Sequence, residues 1–288
     1  MDPLRIDTYN TELTDRIEKG LTEVTNESWL SDYVPQIFQI CDELIKNALK
    51  SNYKFLLMWS ATRDRLQAAN PGCSERELRD WLQEIFFSGE DRLIEQHLAY
   101  IADQAERIRR EVRRLLDLEN RYLRAGRLPE DPLQAGSIAD EAPDAPPEME
   151  PLLRIKRLAR DLNIHAHIEI ERSPNQLLVT IANDSPILAE DVQRIAGVRR
   201  KFREYRDSNR QQEFFIENLD TSGGGHGLGY AIMDSILCEM NLDPMRSLYL
   251  ISATRTLVLL ALPLIEGGSV GAVNQSAPAA TEDESTRP

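Results

Sequence analysis

The feature that most constrains this chain is a run of glycines late in the sequence, from Gly223 to Gly229. Five of these seven residues are glycine, and such a segment cannot form the interior of a helix or strand because each glycine costs backbone entropy. Leu228, Ala231, Ile232 and Ile236 follow at helical spacing. The pattern predicts a glycine-rich turn that opens a helix and offers backbone N–H groups to an anion. A flexible loop before an ordinary helix is the alternative.

A second feature is a row of polar side chains in an otherwise apolar helical segment. Glu43, Asn47 and Lys50 stand at positions i, i+4 and i+7, which places them on one helical face; we call these three the polar row. A carboxylate can activate a water, an amide can bind magnesium and an ammonium can contact a phosphate. A solvated face of an amphipathic helix would show the same spacing, so the row alone leaves both interpretations open.

Two apolar segments predict strands near these features. Residues 177–182 end abruptly in Asn183-Asp184-Ser185-Pro186, which is a turn signal. Residues 257–263 form an apolar run that follows Arg255 and Thr256.

Taken in order, these segments resemble the GHKL superfamily of ATPases, which includes the ATP-binding domain of histidine kinases, anti-sigma serine kinases, type II topoisomerases and mismatch-repair ATPases. The resemblance covers about residues 30–52 and 151–265. Four segments carry it: Glu43-x-x-x-Asn47-Ala48-x-Lys50 is similar to the Asn box, Ile181 to Pro186 to the first glycine box, Gly225-His226-Gly227-Leu228-Gly229 to the second glycine box, and Arg255 to Pro263 to the closing strand.

The resemblance implies an α/β fold of the Bergerat type, a two-layer sandwich with a mixed, mostly antiparallel sheet and here a helical insertion. It implies two cofactors, ATP and Mg²⁺, bound between the helix of the polar row and the 223–229 turn. The implied site residues are Glu43 as catalytic base, Asn47 as magnesium ligand, Lys50, Gly225, Gly227, Leu228, Gly229 and Thr256 near the phosphates, and Asn183 or Asp184 at the adenine.

The first glycine box departs from the family pattern of an Asp and two glycines. Asn183 stands where the Asp is expected, and Ser185 and Ile187 stand where the glycines are expected. An amide oxygen can also accept a hydrogen bond from adenine. A shift by one residue would instead use Asp184, and the sequence leaves both assignments open.

The chain divides into five predicted parts by its changes in composition. These are residues 1–52 with the Asn-box helix, a helical or coiled-coil insertion at 53–126, an acidic Pro-rich linker at 127–150, the rest of the ATP-binding domain at 151–265 with a lid at 188–224, and a disordered tail at 266–288. The lid is basic, and one or two of its cations are expected at phosphates while the others form a solvated face. Its basic residues are Arg194, Arg199, Arg200, Lys201, Arg203, Arg206 and Arg210.

The insertion contains a long helical pattern over residues 90–124. Its apolar positions follow alternating steps of three and four residues, with Glu119 as the polar exception. Such a seam can form a homodimer or a partner-docking arm, or it can pack against the helix at 53–70 in the same chain. The seam consists of Ile94, Leu98, Ile101, Ala105, Ile108, Val112, Leu115 and Tyr122.

Charge and composition narrow the class of partner. A net charge of −14 argues against a nucleic-acid or anionic-membrane binder. Three widely spaced cysteines fit reduced thiols, the N-terminus has no signal-peptide layout, and the longest apolar run, residues 257–265, is too short to span a bilayer. We therefore expect a cytoplasmic protein that does not bind membranes.

Three functions follow from the resemblance. The first is a histidine-kinase-like ATPase of two-component signalling that acts with a histidine phosphotransfer protein or a response regulator. The second is an anti-sigma-type serine/threonine kinase with a partner of the sigma-factor type. The third is a non-catalytic, ATP-gated interaction module. No histidine precedes Glu43, and His97 follows the Asn box, where a solvated or half-buried helix histidine is a simpler interpretation than a phosphoacceptor.

Overall fold

The computed structural model describes residues 3–88, 99, 101–124, 146–219, 228–252 and 255–265. The helices are α1 (Thr11–Thr25), α2 (Val34–Ala69), α3 (Glu75–Phe87), α4 (Ala105–Arg124), α5 (Glu150–Asp161), α6 (Ala189–Asp207), α7 (Gln211–Leu219), α8 (Leu228–Glu239) and α9 (Pro244–Ser247). The strands are β1 (Leu4–Ile6), β2 (Ala166–Arg172), β3 (Gln176–Asn183), β4 (Leu248–Ser252) and β5 (Thr256–Pro263). Most of the predicted linker and the predicted tail from 266 onward lie outside the described residues.

The fold is mixed α/β and contains a five-stranded sheet in the order β1-β2-β3-β5-β4. We expected a sheet of mixed direction, but all four pairings among the described strands are antiparallel. Two of the pairings, β2 with β3 and β4 with β5, join strands that follow each other directly in the chain. A turn at Ser173 closes the first of these hairpins, and the Ser173 hydroxyl donates to the carbonyl oxygen of Gln176 at 3.0 Å.

Alternation along the central strands buries one face of the sheet. In β2 and β3 every second residue is buried, as period-two side-chain alternation requires. These residues form one hydrophobic cluster with the apolar faces of α1, α2 and α8. The sheet side of that cluster includes Ala166, Ile168, Ile170, Leu177, Val179, Ile181, Val258, Leu260 and Leu262.

Helix α2 belongs to two hydrophobic clusters. It is one continuous helix of 36 residues, so the boundary predicted between residues 52 and 53 falls inside it. Residues from Ile37 to Leu49 pack in the sheet cluster. Residues from Tyr53 to Trp59 pack in a second cluster with α3, α4 and α5. The polar row therefore lies in the half of α2 that covers the sheet.

The described part of the predicted seam packs inside the chain. Ile108, Val112 and Leu115 of α4 are buried in the second cluster together with side chains of α2. Glu119 is also buried and accepts hydrogen bonds from the Tyr53 hydroxyl at 2.7 Å and from Lys156 Nζ at 2.6 Å, which explains a polar residue in this position. The first two seam residues, Ile94 and Leu98, and the nearby His97 lie outside the described residues, and a homodimer through 90–124 stays a prediction.

Candidate functional site

The polar row is held together on the surface of α2 by helical spacing. The side-chain amide of Asn47 donates from Nδ2 to Glu43 Oε1 at 3.2 Å, one turn earlier. Both side chains are half-buried. The amide nitrogen faces Glu43 in this bond, so the Asn47 side-chain oxygen is left for another partner, and an amide oxygen can ligate a cation.

Glu43 lies directly against the first turn of α8. A Cβ atom built on Gly229 would stand 2.1 Å from Glu43 Oε1 and 2.8 Å from Glu43 Cδ. The two helices approach this closely only because residue 229 has no side chain. The structure thus brings together the Asn-box helix and the end of the predicted second glycine box. Leu228 begins α8 and is half-buried against a small cluster on α6 and α7, whereas Gly225 and Gly227 lie outside the described residues.

Asn183 and Thr256 meet at the same edge of the sheet. Asn183 is the last residue of β3 and pairs in register with Thr256, the first residue of β5. Asn183 is buried, and its Nδ2 donates to the carbonyl oxygen of Ala48 at 3.4 Å. Its Oδ1 accepts from the backbone N–H of Ser185 at 3.4 Å. Asn183 therefore contacts the backbone of α2 one residue after Asn47.

Asp184 is directed to β2 instead. Its carboxylate accepts from the backbone N–H of His165 at 3.0 Å and lies 3.3 Å from His167 Nε2. His167 alternates with the buried residues of β2 and belongs to the face of the sheet opposite the helices. Burial alone would raise the pKa of Asp184, but the hydrogen bonds from His167 and His165 outweigh it and lower the pKa. Of the two residues predicted to read adenine, Asn183 is the one beside the polar row.

Thr256 and Ser185 join β5 to the segment that replaces the first glycine box. The buried Thr256 hydroxyl donates to the carbonyl oxygen of Ser185 at 3.0 Å. A phosphate contact by Thr256, as predicted, would require this bond to break. Ser185 is fully buried, and within the described part of the chain its hydroxyl oxygen has no hydrogen-bond partner. The site thus contains a buried polar atom that a polar ligand group can satisfy.

The titratable groups of the polar row are shifted by their surroundings. Burial raises the pKa of Glu43, although the hydrogen bond from Asn47 and the charge of Lys46 oppose this change. Burial also lowers the pKa of Lys50, and the positive charge of Arg194 acts in the same direction. A carboxylate with a raised pKa is a stronger base, which suits the role predicted for Glu43.

The described part of the predicted basic lid, residues 188–219, contains α6 and α7, and its cations have different surroundings. Arg199 is buried and donates to the carboxylate of Asp234 on α8. Arg194 donates to Asp191 at 2.8 Å, and Lys54 of α2 donates to the same carboxylate at 2.6 Å. Arg194 is a lid cation whose charge lowers the pKa of Lys50. The sequence contained no signal for the pairing of Arg199 with Asp234, which stands 35 residues later in the chain.

Searches with known family profiles, curated proteins and solved structures found no match to this chain. Within the described residues, no helix combines the length and the apolar character that a membrane crossing requires. No cluster of three or more His, Cys, Asp or Glu side chains suited to a metal ion occurs in the same residues. The site is therefore interpreted from its own geometry.

Proposed function

We propose that this chain binds ATP with magnesium in the manner of the GHKL superfamily and acts as a histidine-kinase-like ATPase with a two-layer Bergerat fold. One observation carries the proposal. Four segments that are far apart in the sequence converge at one end of the sheet: the polar row, Asn183, Gly229 and Thr256. A solvated helix face does not require a glycine in contact with its carboxylate, and a flexible glycine loop does not require a polar row opposite it.

Different residues at this end of the sheet suit the adenine and the phosphates of the nucleotide. Asn183 and the Ser185 hydroxyl are buried polar groups at the ends of the strands and suit an adenine base. Lys50 and the first N–H groups of α8 suit the phosphates, because α8 has 12 residues and its dipole favours an anion at its N-terminus. Glu43 accepts a proton from the attacking water or hydroxyl.

The donor set fits magnesium only in combination with phosphate oxygens. Magnesium commonly keeps several waters and takes one or two protein ligands plus substrate phosphates. The Asn47 carbonyl oxygen supplies one such ligand on this side. When bound, the ion would neutralise phosphate charge. The Glu43–Asn47 hydrogen bond keeps the amide oriented for this role.

The acceptor of the phosphoryl group is proposed to lie on a partner. His165 Nδ1 is 2.6 Å from a carboxylate oxygen of Asp7, and His167 is similarly paired with Asp184, so both described histidines have structural partners. A histidine phosphotransfer protein or a response regulator in the cytoplasm is the expected partner. An anti-sigma-type kinase with a sigma-factor-type partner and a non-catalytic ATP-gated module are the alternatives.

The test is incubation of the purified protein with magnesium and ATP labelled on its terminal phosphate, beside Glu43→Gln and Asn47→Ala. Release of free phosphate that both variants lose supports the proposal, and acid-labile label on the protein would assign an acceptor within the chain, such as His97. ATP binding without turnover, unaffected by Glu43→Gln, would favour the ATP-gated module. Absence of ATP binding by the wild-type protein would refute the proposal.

Two matched variants separate site effects from general damage. Asn52→Ala removes the same side chain from the same helix five residues later, where Asn52 is buried away from the polar row. We expect it to lower stability and to leave ATP binding intact, in contrast to Asn47→Ala. Asn183→Ala should weaken binding of ATP and ADP alike, whereas Asp184→Asn should not. The opposite result would move the adenine contact to Asp184.

A further inference from the structure

The most heavily bonded side chain near the proposed site is Arg199, in the middle of α6. Its Nε and Nη2 atoms each donate to Asp234 at 2.9 Å. Its Nη1 atom donates to the carbonyl oxygen of Leu248 at 3.0 Å, and Nη2 donates to that of Pro244 at 2.8 Å. Both charged side chains are at least nine-tenths buried, at 8% and 4% exposure. One guanidinium thus connects α6 to α8, α9 and β4.

The residue that Arg199 holds lies close to the contact between α8 and the polar row. Asp234 stands five residues after Gly229 on the same helix. A helix is rigid over this distance, so fixing Asp234 fixes the place of the first turn. The contact there has little tolerance, because the Cα side of Gly229 lies against the Glu43 carboxylate.

We propose that Arg199 is a positioning residue for the site: by gripping Asp234 it keeps the first turn of α8 against Glu43. Its consequence for turnover rests on the proposed function, whereas the placement of α8 does not. A buried ion pair adds little net stability compared with an apolar pair of similar volume. A bidentate guanidinium–carboxylate pair does define distance and direction, which is what this contact needs.

The backbone of the first turn of α8 reports whether α8 is in place. Gly229 and Tyr230 lie in that turn, and Tyr230 is buried in the sheet cluster. Their amide chemical shifts depend on the groups packed around them, among which is the Glu43 carboxylate beside Gly229. Retreat of α8 would therefore change these shifts in the absence of any ligand.

The experiment records the amide NMR signals of Gly229 and Tyr230 in ligand-free, isotope-labelled protein. Arg199→Lys keeps the charge but not the bidentate fork. The pair Arg199→Met with Asp234→Leu removes both charges, so that no unpaired charge is left buried. We expect both amide signals to move in both proteins. With magnesium and ATP, kcat should fall about tenfold with little change in KM, since displaced catalytic groups lower the rate.

The control is Lys156→Arg, an equally conservative exchange in a buried ion pair with Glu119 that lies outside the site. It should lower stability without moving the amide signals of Gly229 and Tyr230. The proposal is overturned if the folded Arg199 variants give the wild-type signals, or if the control moves them equally. If wild type does not bind ATP, the proposed function fails, but the ligand-free spectra still decide the positioning role.

Discussion

Two polar centres each include at least one residue of helix α2, and they differ in how completely their hydrogen-bonding groups are used. The polar row is half-buried and has one internal hydrogen bond, from Asn47 to Glu43. The second centre, which we call the polar bridge, consists of Tyr53, Glu119 and Lys156 and is saturated. Lys156 donates to Glu119 and to two oxygens of the segment after β1, and Tyr53 donates to the other oxygen of Glu119.

The two centres differ in whether their charged groups already have close partners, and this difference distinguishes a candidate site from a structural group. In the polar bridge each charge meets a partner at 2.6–2.7 Å, so the group stabilises the join between α2, α4 and α5. In the polar row, burial shifts the pKa of both Glu43 and Lys50 away from ordinary values, and a glycine makes room for the carboxylate. Partly buried polar groups with shifted pKa values and unused hydrogen-bonding capacity are more typical of a binding or catalytic site than of a group that only stabilises the fold.

The largest effect is expected from breaking the polar bridge. Lys156→Met should lower the free energy of unfolding by about 3–5 kcal/mol, because Glu119 then keeps a buried charge without its cation. Urea denaturation at neutral pH measures this change. Adding Glu119→Leu should recover most of the loss. A loss below about 1 kcal/mol would show that the bridge is not the structural centre described here.

Glu43→Gln should lower turnover strongly and change stability little, the reverse of what we expect for the polar bridge. We expect turnover to fall about a hundredfold, the scale of a lost general base. Stability at neutral pH should be unchanged or slightly raised, because the pKa of Glu43 is raised and its ionised form is therefore disfavoured by folding. Phosphate release and the urea midpoint test the two parts. A large loss of stability with normal turnover would place Glu43 in the same class as Glu119.

Gly229→Ala tests the contact between α8 and Glu43 by adding a single methyl group. The three atoms nearest to the added Cβ all belong to the Glu43 side chain, which can rotate away, so the cost in stability should be small. Displacement of that carboxylate should lower turnover about tenfold. The measurement is kcat beside the melting temperature. Gly72→Ala is the control, since a Cβ there meets nothing within 4 Å and should leave kcat unchanged.

The smallest effect compares Glu43 of the polar row with the structural pair of Asp7 and His165 by their dependence on pH. The Asp7 carboxylate has a lowered pKa, since its hydrogen bond with His165 and the nearby positive charges outweigh burial, which alone would raise it. Its stabilisation is present above the ordinary value of 3.8 and is lost only as pH falls through the lower folded pKa. Turnover depends on ionised Glu43, so its acid limb should lie above 4.5. As the pH is lowered, turnover should therefore fall first. The stability difference between wild type and Asp7→Asn should disappear only at a lower pH.

Sequence patterns predicted elements that depend on local signals. The strand that ends at Asn183, the strand after Arg255 and the helix after the glycine run are observed as β3, β5 and α8. The polar row and its approach to Gly229 followed from periodicity together with the family resemblance. The use of Arg199 could not be predicted, because its partner Asp234 stands 35 residues later in the chain, whereas Arg194 pairs with Asp191 three residues before it.

The continuity of α2 has a mechanical consequence. At 1.5 Å per residue, its 36 residues make a helix about 54 Å long that begins on the sheet and ends in the second cluster. A tilt of about 10° around its midpoint would carry Glu43 roughly 2 Å. The first turn of α8, held by Arg199, would not share that movement. A partner protein that displaces the Ala69 end of α2 would therefore change the distance between Glu43 and Gly229.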